Sequence, residues 1–459
     1  MRSTKSKKQQ KLMAVSFGML ALGLLLAAEA PRAERGVGAT GREATVGGAS
    51  RQGRVRLDGR VLRDDGGPFN ALGATLFWAL WGEAHEPDRL DDTLRWLADR
   101  GVDYVRILGM VGAESWSDRR IDPASPDYWP AADRLLGRLA RHGLRVQLTL
   151  FADAQLMMPS GADRARFVDL WAAKANEQPE RFILLEIANE HWQNGMADIA
   201  ELRALGRRLA DKTDVLVALS APLADQACAL YAKSAADLAT VHYSRDSSAD
   251  DRWRPVGQPW RWPADYDTGC RGELPPAVNN EPIGPESSVY DDDDPGRLVM
   301  AYATTFVSQN AAYVLHTGAG IRAGGAGDRL VGRSANVWEV PKLHTALRGI
   351  AAAKAYLPPD LANWRRHDVG EASHPVAELA PAIEAGALRG AYAASAGGRF
   401  VAVVVGVGRP LDVRTTRTCT VDIRVPLSGE PIARRSVNRG EAFTLSGSEA
   451  FVLIGVCRD

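Results

Sequence analysis

The stretch that decides the fold is Phe182-Ile183-Leu184-Leu185-Glu186-Ile187-Ala188-Asn189-Glu190. Its apolar run has the length of a short β-strand, and it ends on the polar pair Asn189-Glu190. Parallel strands that are covered on both faces have this composition. In β/α barrels, functional side chains stand at the carboxyl ends of such strands. The stretch therefore predicts a barrel strand that presents a carboxylate at the functional end.

A helix followed by a short buried strand recurs on both sides of this stretch. Leu90, Leu94 and Leu97 share one helical face, Gly101 ends that helix, and residues 102–108 form a strand-like run. The same order returns at residues 135–150, 167–188 and 202–219. Alternating helices and buried strands favour parallel pairing with right-handed crossovers.

Residues 54–358 are long enough for one complete barrel. We predict an α/β fold for them, a (β/α)8 TIM barrel, with strands at residues 72–76 and near residues 104, 146, 184, 216, 239, 277 and 313. A hairpin that starts near Val55 is expected to cover the bottom of the barrel. Residues 359–385 are predicted to be a linker. Residues 386–459 contain strand-like runs separated by Gly and Pro turns, which predicts a small β-sandwich accessory domain.

The amino terminus has the pattern of an export signal. Residues 1–33 begin with lysines and arginines, continue with an uncharged stretch rich in Leu, Ala and Met, and end in small residues. Pro31 disfavours cleavage directly after Ala30, so a retained membrane anchor is the alternative. Residues 34–53 are predicted to be a flexible lead-in. We therefore expect a secreted or periplasmic protein that contacts a membrane only if residues 1–33 are retained.

The four cysteines fit an exported protein. Cys228 and Cys270 lie in the middle of the chain, whereas Cys419 and Cys457 lie near its end. An even count in an oxidising compartment predicts the disulfides Cys228–Cys270 and Cys419–Cys457. Four buried free thiols are the alternative.

The charge balance and the spacing of potential ligands exclude several classes of partner. Lys plus Arg and Asp plus Glu both total 56, so the chain has no net basic field to attract nucleic acid. The cysteines lack the close spacing of a zinc site, and the four aspartates at residues 291–294 lack the separated ligands of a calcium loop. We therefore predict no metal, no cofactor and no nucleic-acid partner.

A second carboxylate stands at the end of a later strand. The run Pro276-Ala277-Val278-Asn279-Asn280-Glu281 repeats the pattern of an apolar strand that ends on a glutamate. Cleavage of a glycosidic bond usually requires two carboxyl groups, one on each side of the bond. Strands four and seven of one barrel can bring Glu190 and Glu281 together for this purpose.

With these residues in place, residues 54–357 resemble the clan A glycoside hydrolases, the cellulase-like barrels of the family 5 type. The resemblance implies that Glu190 is the acid/base and Glu281 the nucleophile. It further implies that Asn189 binds the sugar 2-hydroxyl and that Arg106 lies beside the nucleophile.

The resemblance also places His242 and Tyr243, at the end of strand six, around the sugar. In the clan a His and a Tyr are commonly separated by one residue, whereas these two are adjacent, and alternation directs only one of them into the barrel. The clan's Trp at strand eight has no counterpart in the run Tyr313-Val314-Leu315-His316-Thr317-Gly318.

Three tryptophans in predicted loops are candidates for stacking on sugar rings, namely Trp78, Trp192 and Trp338. Together these features predict an exported retaining glycoside hydrolase that cleaves β-linked oligo- or polysaccharide through a covalent glycosyl-enzyme intermediate. The missing strand-eight Trp and the accessory domain leave one alternative, a carbohydrate-binding pseudo-enzyme or cell-surface scaffold on the same barrel.

Overall fold

Eight parallel strands form a nearly closed barrel in the computed structural model, which describes residues 51–223, 225–245, 251–262, 269–287, 294–319 and 336–458. The barrel follows three short antiparallel strands, β1 (Arg56–Asp58), β2 (Val61–Asp64) and β3 (Gly67–Phe69). Its own strands are β4 (Ala71–Thr75), β5 (Tyr104–Leu108), β6 (Arg145–Phe151), β7 (Phe182–Ala188), β8 (Val217–Ala218), β9 (Ala239–Val241), β10 (Ala277–Asn279) and β11 (Ala312–Leu315). The predicted TIM barrel is confirmed. The predicted signal segment, residues 1–33, lies outside the described residues.

The strand order is β8-β7-β6-β5-β4-β11-β10-β9, so the first and last strands along the chain, β4 and β11, pair with each other. The remaining seam lies between β8 and β9. There the Val217 carbonyl accepts hydrogen bonds from the amides of Asp237 (2.8 Å) and Leu238 (3.2 Å). These bonds bridge the short strands at the seam.

The helices surround the barrel and begin and end at residues suited to those positions. They are α1 (Ala79–His85), α2 (Pro87–Ala98), α3 (Tyr128–Arg141), α4 (Ala154–Met157), α5 (Gly161–Glu177), α6 (Ile199–Ala210), α7 (Ala227–Tyr231), α8 (Arg254–Gly257), α9 (Pro295–Val307) and α10 (Pro341–Tyr356), whereas α11 (Leu379–Glu384) packs in the core of the carboxyl-terminal module. Gly101 and Gly143 follow α2 and α3 with φ of +80° and +69°. This left-handed conformation suits glycine and turns the chain into the next strand. None of the helices in the described ranges is long and apolar enough to cross a membrane.

The amino-terminal hairpin covers the bottom of the barrel, as the sequence predicts. Val55, Leu62 and Phe69 pack against apolar residues near the amino ends of the barrel strands, including Leu184 and Val278. This apolar contact closes the end of the barrel that lies opposite the carboxyl ends of its strands.

The carboxyl-terminal residues form two antiparallel sheets, which agrees with the predicted β-sandwich. Their strands are β12 (Arg365–His367), β13 (Val376–Ala377), β14 (Gly390–Ala396), β15 (Arg399–Val405), β16 (Leu411–Thr415), β17 (Thr418–Arg424), β18 (Ala433–Val437), β19 (Ala442–Leu445) and β20 (Ala450–Arg458). The sheet orders are β12-β14-β15-β20-β17-β18 and β13-β16-β19. Phe400, Val404 and Phe451 belong to the apolar core of this module.

Residues 359–385 are more than a linker. Strand β12 pairs with β14 and strand β13 pairs with β16, so this segment supplies strands to both carboxyl-terminal sheets. The central strands of the larger sheet also pack on the barrel, because Val401, Val403 and Val452 join the core that contains helix α9. The predicted domain limits themselves remain a prediction.

Both predicted disulfides are present. Cys228–Cys270 ties helix α7 to the segment before β10, and Cys419–Cys457 joins directly opposed residues of β17 and β20. The four cysteines are all paired, so the alternative of free thiols is wrong.

Candidate active site

Glu190 and Glu281 meet in a cavity at the carboxyl ends of the barrel strands. Glu190 comes two residues after β7, the fourth barrel strand, with φ of +36°. This left-handed backbone is uncommon for a residue with a side chain and turns the chain sharply off the strand. Glu281 comes two residues after β10, the seventh barrel strand. The two carboxylates therefore come from two different barrel strands, β7 and β10, and both line the same cavity.

Arg106 holds the carboxylate of Glu281. Its Nη1 donates to Glu281 Oε1 at 2.6 Å, and both side chains are almost completely buried. Burial alone would raise the pKa of Glu281. Neighbouring basic groups, His242 first and then the guanidinium groups of Arg106 and Arg245, outweigh burial and hold that pKa well below its usual range. Glu281 is thus an ionised carboxylate at neutral pH.

His242 lies between the two glutamates. Its Nδ1 is 3.0 Å from Glu190 Oε1, and its Nε2 is 3.5 Å from Glu281 Oε1. One carboxylate oxygen of each glutamate lies within 4.8 Å of the other. His242 therefore fixes the separation of the two carboxyl groups.

Arg106 also organises the end of strand four. Its Nη2 donates to Asn189 Oδ1 at 2.7 Å and lies 3.3 Å from Glu186 Oε2. The Thr149 hydroxyl donates to the same Glu186 oxygen at 2.5 Å. Glu186 is completely buried, and its contacts with Arg106 and Thr149 make it a structural partner of this arginine. A buried guanidinium shared by these acceptors fixes Asn189 and Glu281 relative to each other.

Arg245 and His316 also belong to this site, although the pattern of the sequence identifies neither of them. Arg245 Nη2 and His316 Nε2 lie 3.6 and 3.8 Å from Glu281 Oε2. Arg245 stands two residues beyond Tyr243 in a connecting segment, where strand periodicity gives no direction for its side chain. Burial lowers the pKa of His316 to about 3, so its ring is neutral at physiological pH.

The prediction that Tyr243 contacts the sugar needs correction. Its hydroxyl donates to Asn310 Oδ1 at 2.7 Å, and its side chain is buried. Because His242 and Tyr243 are adjacent, the one that points at the glutamates directs its neighbour away from them. Tyr243 packs behind the strands, and His242 alone of this pair reaches the carboxylates.

The aromatic part of the cavity wall also differs from the prediction. Trp78 is fully buried, with the Arg89 guanidinium stacked 4.1 Å from the centre of its ring, so it serves packing rather than sugar stacking. Trp192 and Trp338 are about 41% and 39% exposed and do not belong to the cavity wall. The wall instead contains Phe77 and Trp116, whose ring centres are 6.5 Å apart.

The donor atoms of Glu190, His242 and Glu281 are close enough together to ligate a metal ion. The Arg106 guanidinium, however, already neutralises Glu281 and occupies its Oε1. A cation would have to compete with this bond and with the positive charge of Arg106 itself. The charge arrangement therefore favours an ion pair over a metal site.

No protein family profile matches the sequence, and no curated protein matches it either. Solved structures do match its fold. A glycoside hydrolase superposes with a TM-score of 0.60 at 13% identity, covering 89% of this chain and 98% of that chain. A family 5 glycoside hydrolase from Bacteroides vulgatus gives a TM-score of 0.60 at 13% identity, covering 88% and 94%.

A putative glycoside hydrolase from the same organism gives a TM-score of 0.57 at 12% identity, covering 90% of this chain and 83% of that chain. The three matches cover 88 to 90% of this chain, so the chain has the fold of these glycoside hydrolases.

Proposed function

We propose that this protein is an exported retaining glycoside hydrolase that cleaves β-linked oligo- or polysaccharide. The observation that carries the proposal is the pair Glu190 and Glu281, with carboxylate oxygens within 4.8 Å of each other. Retaining enzymes hold their two carboxyl groups roughly 5 to 5.5 Å apart, whereas inverting enzymes leave roughly 6.5 to 9.5 Å for a water molecule. The separation supports retention.

In the first step, a Glu281 oxygen attacks the anomeric carbon while the bond from that carbon to the glycosidic oxygen breaks. Arg106 keeps Glu281 ionised, which a nucleophilic carboxylate requires. Glu190 transfers its proton to the departing oxygen, so the aglycone leaves as an alcohol. The product of this step is a glycosyl ester on Glu281.

In the second step, Glu190 accepts a proton from water, and the resulting nucleophile attacks the anomeric carbon of the ester. The carbon–oxygen bond to Glu281 breaks, the sugar is released with its original configuration, and Glu190 is protonated again. The Nδ1 contact of His242 holds Glu190 on the same side of the sugar in both steps. Asn189, fixed by Arg106, is available to bind the 2-hydroxyl.

Export is the second part of the proposal. Two disulfides are typical of oxidising compartments, and the pattern of residues 1–33 is that of a signal peptide or membrane anchor. The partner we propose is a carbohydrate substrate, and the zero net charge gives no support to a nucleic-acid partner.

Turnover of aryl β-glycosides and of plant and bacterial polysaccharides by the full chain and its variants tests this function. Glu190→Gln and Glu281→Gln should each abolish turnover of any substrate that the parent cleaves. Glu371→Gln is the matched control, because Glu371 lies in the carboxyl-terminal module and should leave turnover unchanged. Full activity of both glutamine variants would contradict the proposal. Binding of a glycan by the parent without any turnover would favour the pseudo-enzyme instead.

A further inference from the structure

His316 directly follows the eighth barrel strand, and its side chain faces the cavity. It is about 2% exposed and forms part of the cavity wall together with Phe77 and Glu281. Its ring centre is 6.1 Å from that of Phe77, and its Nε2 is 3.8 Å from Glu281 Oε2. An imidazole therefore lies beside Glu281 in the cavity wall, directly after the eighth barrel strand.

The hydrogen bond of His316 to Thr75 sets the tautomer of the ring. Thr75 Oγ1 lies 3.0 Å from His316 Nδ1, and no other acceptor for that hydroxyl is found among the described residues. Because Thr75 is buried, its hydroxyl needs an acceptor, and we infer that it donates its hydrogen bond to His316 Nδ1. Because burial lowers the pKa of His316, the neutral ring then has its single proton on Nε2.

The Nε2 proton has no acceptor among the residues that the structure describes. The nitrogen is buried without a hydrogen-bond partner, and Glu281 Oε2 at 3.8 Å is too distant to be one. A buried donor without a partner destabilises a protein by about 1 to 3 kcal/mol. Such an atom in a functional cavity has a natural acceptor, which is an oxygen of the bound ligand.

We propose that His316 is a specificity-determining residue that donates from Nε2 to one hydroxyl of the sugar that becomes attached to Glu281. This inference rests on the proposed function. The donor stands next to the nucleophile, so the hydroxyl belongs to the glycone and not to the leaving group. Phe77 supplies the apolar surface beside it.

A directional hydrogen bond selects substrates differently from an aromatic platform. Stacking on a tryptophan accepts many sugar faces, whereas a site built to bind one hydroxyl rejects an analogue that lacks it, because the protein donor is then left unpaired. The glycone subsite should therefore be selective at one ring position.

The test is a matrix of two enzymes and a series of monodeoxy aryl β-glycosides. His316→Phe keeps a ring in the wall but removes the donor. We expect it to lower kcat/KM on the complete sugar by about tenfold. On one monodeoxy substrate, the kcat/KM of the parent should fall by a similar factor. On that same substrate, the kcat/KM of His316→Phe should equal that of the parent.

Thr75→Val is the second variant, since it removes the group that directs the proton to Nε2. On the complete sugar, Thr75→Val should lower kcat/KM by less than His316→Phe does. On the same monodeoxy substrate, Thr75→Val and the parent should have equal kcat/KM. If His316→Phe is misfolded by circular dichroism, this pattern in Thr75→Val decides the question by itself.

An equal loss on every sugar of the series, or no loss on the complete sugar, would overturn the role of His316. An inactive parent on all substrates would instead overturn the proposed function. The two failures are therefore distinguishable.

Discussion

The two ends of the barrel each contain a buried arginine paired with a carboxylate, yet the two groups are built differently. At the carboxyl ends of the strands, Arg106 is shared between Glu281, Glu186 and Asn189. Around it, His316 Nε2 and Arg245 Nη1 are buried without a hydrogen-bond partner in the part of the chain that the structure describes. The carboxyl end of the barrel, the open end, is therefore a polar cavity in which some buried donors make no hydrogen bond to the described residues.

At the amino ends of the strands, Arg145 is fully bonded. Its Nη1 donates to Asp64 Oδ2 at 2.8 Å, its Nη2 to the Gly53 carbonyl at 2.8 Å, and its Nε to the Glu180 carbonyl at 3.0 Å. Asp64 in turn accepts from Arg51 at 2.8 Å. Buried donors that are all hydrogen-bonded to protein atoms, as at this closed end, contribute to stability. Buried donors beside a cavity that lack a protein acceptor are available to bind a ligand. Substitutions at the two ends should therefore separate activity from stability.

The largest effect should come from Glu281→Gln at the open end. Loss of the proposed nucleophile should lower kcat by about 10⁴-fold or more, because the covalent intermediate can no longer form. Steady-state kinetics on any substrate that the parent cleaves will measure this. An unaltered kcat would show that the open end is not the catalytic end.

At the closed end, Asp64→Asn should destabilise the protein by about 3 to 5 kcal/mol, because Arg51 and Arg145 then lack their buried counter-ion. Urea denaturation will measure the change in the free energy of unfolding, and kcat of the folded variant should equal that of the parent. Asp214→Asn is the matched control. It breaks an exposed pair with Arg54 and should cost about 1 kcal/mol or less. Similar costs for both substitutions would refute the structural role of the closed end.

Removal of the Cys419–Cys457 disulfide should have a smaller effect. The double substitution to serine should lower the free energy of unfolding by about 2 to 4 kcal/mol, since the bridge closes a loop over a sequence separation of 38 residues. Because this bridge joins strands of the carboxyl-terminal module, kcat should not change. A large loss of kcat at a temperature where the variant is folded would mean that the module shapes the active site.

The smallest effect, taken for each pH unit, is the dependence of folding stability on pH. The pKa of His316 is lowered from 6.5 to about 3 by burial, so the unfolded chain binds this proton and the folded chain does not between those pH values. Folding stability should therefore fall as pH drops from 6.5 toward 3, by up to about 1.4 kcal/mol per pH unit from this residue. The depressed pKa of Glu281 acts in the same direction, since its stabilising ionised form is lost as pH falls below 4.5 and through the folded pKa.

Urea denaturation at a series of pH values will measure this slope. His316→Phe should show a shallower decline than the parent between pH 6.5 and 3. An identical decline in both proteins would mean that His316 is protonated in the folded state.

The barrel was predictable because its strands are continuous apolar runs and its helices end at glycines such as Gly101 and Gly143. The same regularity led to Glu190 and Glu281, since residues just beyond the carboxyl end of a buried strand lie at the functional end of a barrel. The alternation of side chains along a strand predicts their direction only within the strand and not in the segment that follows it. Arg245 and His316 therefore received no role at the carboxylate pair.

Aromatic residues show the same limit. Trp78 and Phe77 are adjacent, and only the path of the loop after β4 decides which of them faces the cavity. The linker prediction for residues 359–385 failed for another reason. Strands β12 and β13 are only three and two residues long, so their pairing depends on distant partners rather than on local pattern.

The division of labour between the two glutamates is tested most directly by trapping the intermediate. An aryl 2-deoxy-2-fluoro-β-glycoside of a sugar that the enzyme cleaves should inactivate it, and mass spectrometry of the peptides should find the fluorosugar esterified to Glu281. An adduct on Glu190, or a product of inverted configuration with no adduct at all, would contradict the assignment of Glu281 as nucleophile and Glu190 as acid/base.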